Sequence, residues 1–387
     1  MSLHVRSVSL TDFRGYRELK LEDLGNLVIA AGANAVGKTN IVEALQLTTC
    51  GESFRKPTPA ELVSWGRNSC RVHIELSDEK RLLEHEMRVV DGQREFRVNG
   101  KKKAAASLRG TCPAVLFIPD DLQMVKASSA RRRDAIDALA VQLSAQYSKL
   151  KTEYAKTLKQ RNLLLREEMG YGPLFESWND SLVVNGSRLF ANRFRLFGRI
   201  CAHMERIYAN IVEGEQFSVR YVPSWNRFDE TGRQLSDVVA EFELAEVESM
   251  QLEEVQEVMA ASLARLSAME QQRKTSLVGP HKDEIVFFIN GRNARLFASQ
   301  GQQRTIVLVW KLAEVELMRE LLGIEPVLLL DDVMSELDAA HRDALTWFIE
   351  QSAQTFITTT NLGYFNQGLL EQAQVIELPV PGTRYEY

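Results

Sequence analysis

Gly32-Ala33-Asn34-Ala35-Val36-Gly37-Lys38-Thr39 fits the pattern G-x-x-x-x-G-K-[ST], and its flanks decide how it is read. Before it, Leu27-Val28-Ile29-Ala30-Ala31 is an apolar run of the kind a buried strand makes. After it, Asn40-Ile41-Val42-Glu43-Ala44-Leu45 opens a helix. A strand feeding a glycine-permitted loop into a helix N-terminus aims several backbone N–H groups, and the positive end of the helix dipole, at one point. Polyphosphate is the ligand that fits there. Lys38 is expected to reach the β/γ-phosphates, and the Thr39 hydroxyl to complete Mg²⁺ coordination. A glycine turn with a surface lysine is the plain alternative, and the flanking strand and helix weigh against it. The loop from Gly32 to Asn40 is the expected seat of a nucleoside triphosphate.

The second half of such a site lies far along the chain. Val327-Leu328-Leu329-Leu330-Asp331-Asp332 is four apolar residues ending in two carboxylates, a Walker B pattern. A parallel strand buried on both faces reads as continuous apolar sequence, and its carboxyl end lies beside the phosphate loop. Asp331 is expected to hold Mg²⁺ through water, and Asp332 to polarise the attacking water as general base. Successive strand residues point to opposite faces, so both carboxylates reach the site only if the strand ends there. Ser335-Glu336-Leu337-Asp338 follows at once, and Ser299-Gln300-Gly301-Gln302-Gln303-Arg304 precedes the strand by one helix. Ser299 and Gly301 at a helix start offer a second anion site, or a plain N-cap.

A chain of 387 residues is expected to form two lobes. The four cysteines, Cys50, Cys70, Cys112 and Cys201, are scattered without a C-x-x-C, which argues against a disulfide framework or zinc ribbon and suits a reducing cytosol. No signal-peptide core and no membrane-length apolar run occurs, so a soluble, cytoplasmic protein is expected. Net charge is −5, but its distribution is uneven. Acidic residues crowd 241–258, while Lys101-Lys102-Lys103 and Lys126 with Arg131-Arg132-Arg133 are basic. Such unevenness permits a local basic face on an acidic protein, and solvated surface runs are the equal alternative.

Residues 1–120 read as mostly strand, with alternation in Val5–Leu10 and Arg71–Leu76 and a hairpin tip at Val98-Asn99-Gly100-Lys101. From Arg131 to Arg166, Ile136, Leu139, Leu143, Tyr147, Leu150, Tyr154 and Leu158 recur at helical steps. This predicts one amphipathic helix of roughly ten turns, stopped by Gly170-Tyr171-Gly172-Pro173. Helix resumes over 174–213, strand-like pieces follow near 217–222, and another helix covers 246–269. After Gly279-Pro280 come a strand at Ile285–Ile289, an Asn290-Gly291 turn and the run Ala294–Phe297. A helix from Gln303 to Leu322, the Walker B strand, a helix from Ala339 to Gln351 and a strand at Thr355–Thr359 complete the reading. The layout is an α/β unit split by a mainly helical insertion.

This set resembles the RecF family of bacterial DNA-repair ATPases, relatives of the SMC and Rad50 heads. The likeness covers nearly the full length. It includes Leu10-Thr11-Asp12-Phe13-Arg14-Gly15-Tyr16, Phe117-Ile118-Pro119-Asp120-Asp121-Leu122, Leu158–Leu164 and Gly279-Pro280-His281-Lys282-Asp283-Glu284. Its most specific runs are Ser299–Thr305 and Leu330–Asp338. SMC-type proteins put hundreds of heptad residues between their motif halves, and ATP-binding-cassette transporters lack the Phe-Ile-Pro-Asp-Asp-Leu and Gly-Pro-His runs. The resemblance implies a P-loop NTPase fold, an ABC-ATPase head. Lobe I spans 1–120 and 300–387, and a mainly helical lobe II spans 121–299. It implies ATP and Mg²⁺ as cofactors, with Lys38, Asp331 and Asp332 as catalytic residues. Thr39 and Asp331 would hold the metal, and Ser299, Gly301 and Gln302 would reach the nucleotide of a second protomer. Arg14, in the turn beside the phosphate loop, would approach the nucleotide, a surface salt bridge being the alternative.

The activity so implied is weak, DNA-stimulated ATP hydrolysis in an ATP-dependent homodimer that grips double-stranded and gapped DNA. RecO and RecR are the implied partners, and RecA loading and SOS induction the implied outcome. A nucleotide-gated scaffold with negligible hydrolysis is the alternative. A nuclease-partnered defence ATPase ranks last, because no nuclease-like carboxylate set is visible in the sequence. Three departures from the family pattern stand out. Ala35 replaces glycine, straining the loop by about 1 kcal/mol if φ must be positive. Asp332 replaces the usual glutamate. Thr360 stands near where a sensing histidine is usual. His281 is the one histidine inside a matching run, open to a structural or a catalytic role.

Overall fold

The computed structural model describes residues 3–78, 80–167, 172–228, 251–351, 354–380 and 384–385. The chain opens with β1 (His4–Phe13), β2 (Tyr16–Leu21), β3 (Leu27–Ala31), α1 (Lys38–Cys50), β4 (Cys70–Ser77), β5 (Leu82–Val90), β6 (Gln93–Val98), β7 (Lys101–Lys103) and β8 (Ala114–Phe117). Then come α2 (Ser129–Leu143), α3 (Ala145–Arg166), α4 (Pro173–Ile211), β9 (Phe217–Val222), α5 (Leu252–Arg265), α6 (Ser267–Arg273), β10 (Glu284–Ile289), β11 (Arg292–Asn293) and α7 (Ala294–Phe297). The last section holds α8 (Gln300–Leu322), β12 (Val327–Asp331), α9 (Ala339–Glu350), β13 (Gln354–Thr359), α10 (Gln367–Gln372), β14 (Gln374–Glu377) and β15 (Arg384–Tyr385). These form two units, Met1–Gln123 with Arg304–Tyr387, and Met124–Gln303. Both seams fall a few residues later in the chain than those expected from the motifs, so Ser299, Gly301 and Gln302 all lie in the second unit.

In the first unit, β14-β3-β13-β12-β8 make a parallel sheet. Its central strands β3, β13 and β12 are buried along their whole length, which is why they read as unbroken apolar runs. The second sheet, β15-β2-β1-β4-β5-β6-β7, is antiparallel and alternates buried with exposed residues. Helix α1 packs against strands of both sheets and is buried on nearly every side. That dictates its residues: Ile41, Val42, Ala44, Leu45 and Leu47 serve the core, and even Glu43 is buried. The hairpin tip at Asn99-Gly100 has φ of 48° and 73°, the left-handed pair a two-residue turn requires.

The second unit departs from the periodicity in two places. The expected single helix over Arg131–Arg166 is two, because Ser144 is extended (φ −146°, ψ 116°) and its side chain accepts from Tyr147 N–H, capping α3. Ile136, Leu139, Tyr147, Leu150 and Tyr154 are all buried, so the apolar step continues across the break and conceals it. The long helix is α4, whose 39 residues span about 58 Å. The helix expected over 246–269 also divides, with α5 ending before Leu266 and α6 beginning after it. Residues 246–250, with Glu241, Glu243, Glu246 and Glu248 of the acidic run, and Gly170 and Tyr171 of the expected stop, lie outside the described residues.

A basic surface run at Arg131–Arg133 is corrected as well. Arg132 is buried, donating to Glu284 at 2.8 Å and to the carbonyls of Met124, Val125 and Ala127. It is a structural clamp rather than surface charge.

Candidate functional site

The phosphate loop leaves β3 at Ala31 and enters α1 at Lys38. Gly32 is required by close approach: a Cβ there would lie 2.8 Å from the Leu378 carbonyl. Gly37, at φ 93°, caps the helix in a conformation that glycine adopts without strain. Ala35 adopts φ 68°, so the strain foreseen at this position is present. Ala33, Asn34 and Ala35 are exposed, whereas Val36, Gly37 and Lys38 are buried. Tyr16 fixes the loop by donating to the Val36 carbonyl at 3.3 Å. The left-handed Ala costs about 1–2 kcal/mol, while glycine would add about 0.4–1 kcal/mol of unfolded-state entropy. Ala35→Gly is thus expected to raise stability by up to about 1.5 kcal/mol, read as a higher unfolding midpoint. A lower midpoint would mean the loop does not strain Ala35.

Lys38 curls over the loop, its Nζ donating to the Gly32 and Ala33 carbonyls at 2.7 Å each. Burial pulls its ammonium below the usual lysine range, against the pull of Asp332 and Asp331. One of its three N–H donors is left for a ligand by this count. Thr39 Oγ1 donates to Asp331 Oδ1 at 2.9 Å, joining the loop to the end of β12. An octahedral Mg²⁺ with bonds of about 2.0–2.1 Å has neighbouring ligand oxygens about 3 Å apart. The Thr39–Asp331 pair therefore already has the spacing of one edge of such a site. Among the described residues no cluster of three or more His, Cys, Asp or Glu could hold a metal by itself. One hydroxyl and one carboxylate completed by phosphate and water oxygens is the usual Mg²⁺ arrangement in such sites.

Asp332 lies just past the strand in the left-handed region (φ 52°), which lets both carboxylates face the same end of β12. Its backbone N–H donates to Thr358 Oγ1 at 2.9 Å, and that hydroxyl donates to Asp331 Oδ1 at 2.7 Å. Thr358 thereby orients both acids. It stands opposite Asp331 in the β12–β13 register, and the sequence carries no motif that marks it. Asp332 Oδ1 is buried without a hydrogen-bond partner. Burial first, and the neighbouring Asp331 charge, lift the Asp332 carboxyl above the usual range, with Lys38 opposing. A buried carboxylate oxygen with no donor is placed to accept a proton from water. Thr360 is exposed, and what it offers Asp332 is its backbone N–H.

Arg14 takes the salt-bridge position. Its guanidinium donates to both oxygens of buried Glu43, at 3.0 and 2.8 Å, and to the Glu61 carbonyl at 2.7 Å. Glu43 also accepts from Ser53 at 2.6 Å and from Arg55, and Arg55 donates to Asn40 Oδ1 at 3.0 Å. Arg55 thus meets the loop's last residue, which sequence reasoning missed. In the second unit Ser299 caps α8: its Oγ accepts from Gln302 N–H at 3.2 Å and its N–H donates to Gln302 Oε1 at 2.9 Å. The Gln302 amide also donates to Glu215 at 2.7 Å. In the first unit Asp338 caps α9, and His341 ties it to α8. His341 Nδ1 bonds Asp338 Oδ1 and Nε2 bonds the Thr305 hydroxyl, both at 2.8 Å. His281 is structural, its ring held by Tyr154 at 2.6 Å and the Ser276 carbonyl at 3.2 Å. Burial depresses its pKa to about 3, so it stays neutral.

Residues 4–377 match the RecF/RecN/SMC N-terminal domain family. The DNA replication and repair protein RecF of Gloeobacter violaceus is 37% identical over 383 residues, covering 97% of each chain. A structure of the recombination mediator protein RecF-ATPrS in the RecFOR pathway superposes with TM-score 0.83 at 29% identity, over 94% of each chain. The Smc head domain of Pyrococcus furiosus shares the fold alone, at TM-score 0.52 and 16% identity over 97% of this chain and 93% of that one. No helix among the described residues is long and apolar enough to cross a membrane.

Proposed function

This chain belongs to the RecF family of DNA replication and repair proteins, ATP-binding ATPases of the SMC type, and from that premise we propose that it is an ATP-dependent clamp on duplex DNA. ATP seated on Gly32–Asn40 of one protomer is covered by Ser299 and Gly301 of a second. Thr39 and Asp331 would hold Mg²⁺, which would neutralise phosphate charge when bound. Asp332 takes a proton from the attacking water, and hydrolysis, slow because the base is short, resets the clamp. The pair grips double-stranded DNA and strand junctions, with RecO and RecR as partners in loading RecA at gaps.

The observation that carries this reading is the unpartnered Asp332 Oδ1 beside the Thr39–Asp331 pair. Gly301 supports the two-protomer site. Glycine in a helix costs about 1 kcal/mol against alanine. Yet a Cβ at Gly301 would meet nothing closer than Ser299 Oγ at 3.9 Å, so packing within its own subunit does not ask for glycine. Close approach of a partner's phosphate does.

Sizing the protein with ATP, with ADP and without nucleotide, in the presence of a labelled duplex, tests the clamp directly. Ser299→Arg should keep ATP affinity and lose ATP-dependent dimerisation. A Ser299→Arg protein that still dimerises contradicts the shared site. Phosphate release stimulated by duplex supports an enzyme. ATP-gated DNA binding without turnover supports the scaffold alternative.

A further inference from the structure

Gly279-Pro280-His281-Lys282-Asp283-Glu284 takes no part in the nucleotide site, yet the second unit is organised around it. Its two acids turn inward. Asp283 is fully buried, accepting from the Tyr221 hydroxyl at 2.6 Å and the Ser224 N–H at 2.8 Å. Glu284 is paired with buried Arg132. Lys282 is left partly exposed. Arg133 of α2, Arg227 after β9 and Arg273 at the end of α6 all act on its charge. Arg227 donates to the Lys282 carbonyl at 2.8 Å and Arg133 to the Asp283 carbonyl at 2.5 Å. Uncharged carbonyls, those of Lys282 itself and of the next residue, thus pin two guanidiniums. Among the described residues, none of these four cations is within ion-pair distance of a carboxylate.

Burial and the three arginines push the Lys282 ammonium below its usual range. Like charges brought together oppose folding; Asp283 and Glu284 offset part of that repulsion at Arg133, and a polyanion offsets more of it. Guanidiniums held by carbonyls keep further N–H donors in a fixed fork, the geometry that suits phosphate oxygens. The four cations come from separate elements, and Arg273 is exposed. Such a spread suits several linked phosphates better than one small anion.

We propose that Lys282, Arg133, Arg227 and Arg273 form a contact of the second unit with the sugar-phosphate backbone of duplex DNA. This rests on the duplex-binding reading above and names a surface for it. Lys282 and Arg273 are the residues to change, because neither side chain holds the fold. The affinity of the full chain with ATP for a labelled duplex is measured over a series of salt concentrations. Lys282→Gln and Arg273→Gln should each reduce the slope of log affinity against log salt by about 1, and the double variant by about 2. Lys282→Arg should restore the parent slope, and ATP affinity should be unchanged throughout. A parent that binds duplex, with a double variant of identical slope, overturns the contact alone. A parent that does not bind duplex overturns both the contact and the clamp.

Discussion

Asp332→Asn is expected to bind ATP like the parent chain, to hydrolyse it about 10²–10⁴-fold more slowly, and to accumulate as nucleotide-bound dimer. The substitution keeps the shape of the side chain and an oxygen for the Thr360 N–H, but removes the oxygen able to take a proton. Phosphate release in single and multiple turnover reads the rate, and sedimentation reads the dimer. The pH profile adds an independent mark. A general base works only when ionised, and burial with the Asp331 charge raises the Asp332 carboxyl above its usual range. The acid limb of kcat/KM in the parent, which reports the free protein, should therefore lie above that of an ordinary aspartate, and it should vanish in the asparagine protein. Turnover at the parent rate would remove Asp332 from the role of base.

The second large effect is at Lys38. Its ammonium closes the loop by bonding the Gly32 and Ala33 carbonyls, and the two Walker B acids act on its charge. Lys38→Met keeps most of the length of the side chain and removes its charge and donors. A hydrogen bond to a charged group contributes about 1.5–3 kcal/mol. Loss of that one charged contact corresponds to about 10–10²-fold weaker ATP binding, measurable by calorimetry. The first unit should remain folded, because its core does not include the Lys38 ammonium. ATP affinity within a few-fold of the parent would mean that the loop binds something other than polyphosphate.

The placement of both residues is legible in the sequence because the pattern that sets it is local. A buried strand, a glycine loop and a helix start occupy consecutive residues, and β3, the loop and α1 form where the pattern places them. The same holds for Val327–Asp331, whose unbroken burial follows from its central place in a parallel sheet. Helix boundaries were less legible. A 3.6-residue step reports which face is buried, and Ser144 interrupts the backbone without changing that face.

What the sequence determined by itself was the kind of site and its ligand class. Phosphate-loop spacing, an apolar strand ending in acids and a serine-capped helix are each written within a few adjacent positions. Only the tertiary structure decided which way those groups point and what supports them. Thr358 reaches both acids through the pairing of β12 with β13, His341 joins Thr305 to Asp338 across two helices, and Arg14 is drawn to Glu43. Arg132, one of three basic neighbours, went inside while Lys282 stayed out among like charges. Strand register and burial arise between segments far apart in the chain, so no local pattern of residues encodes them.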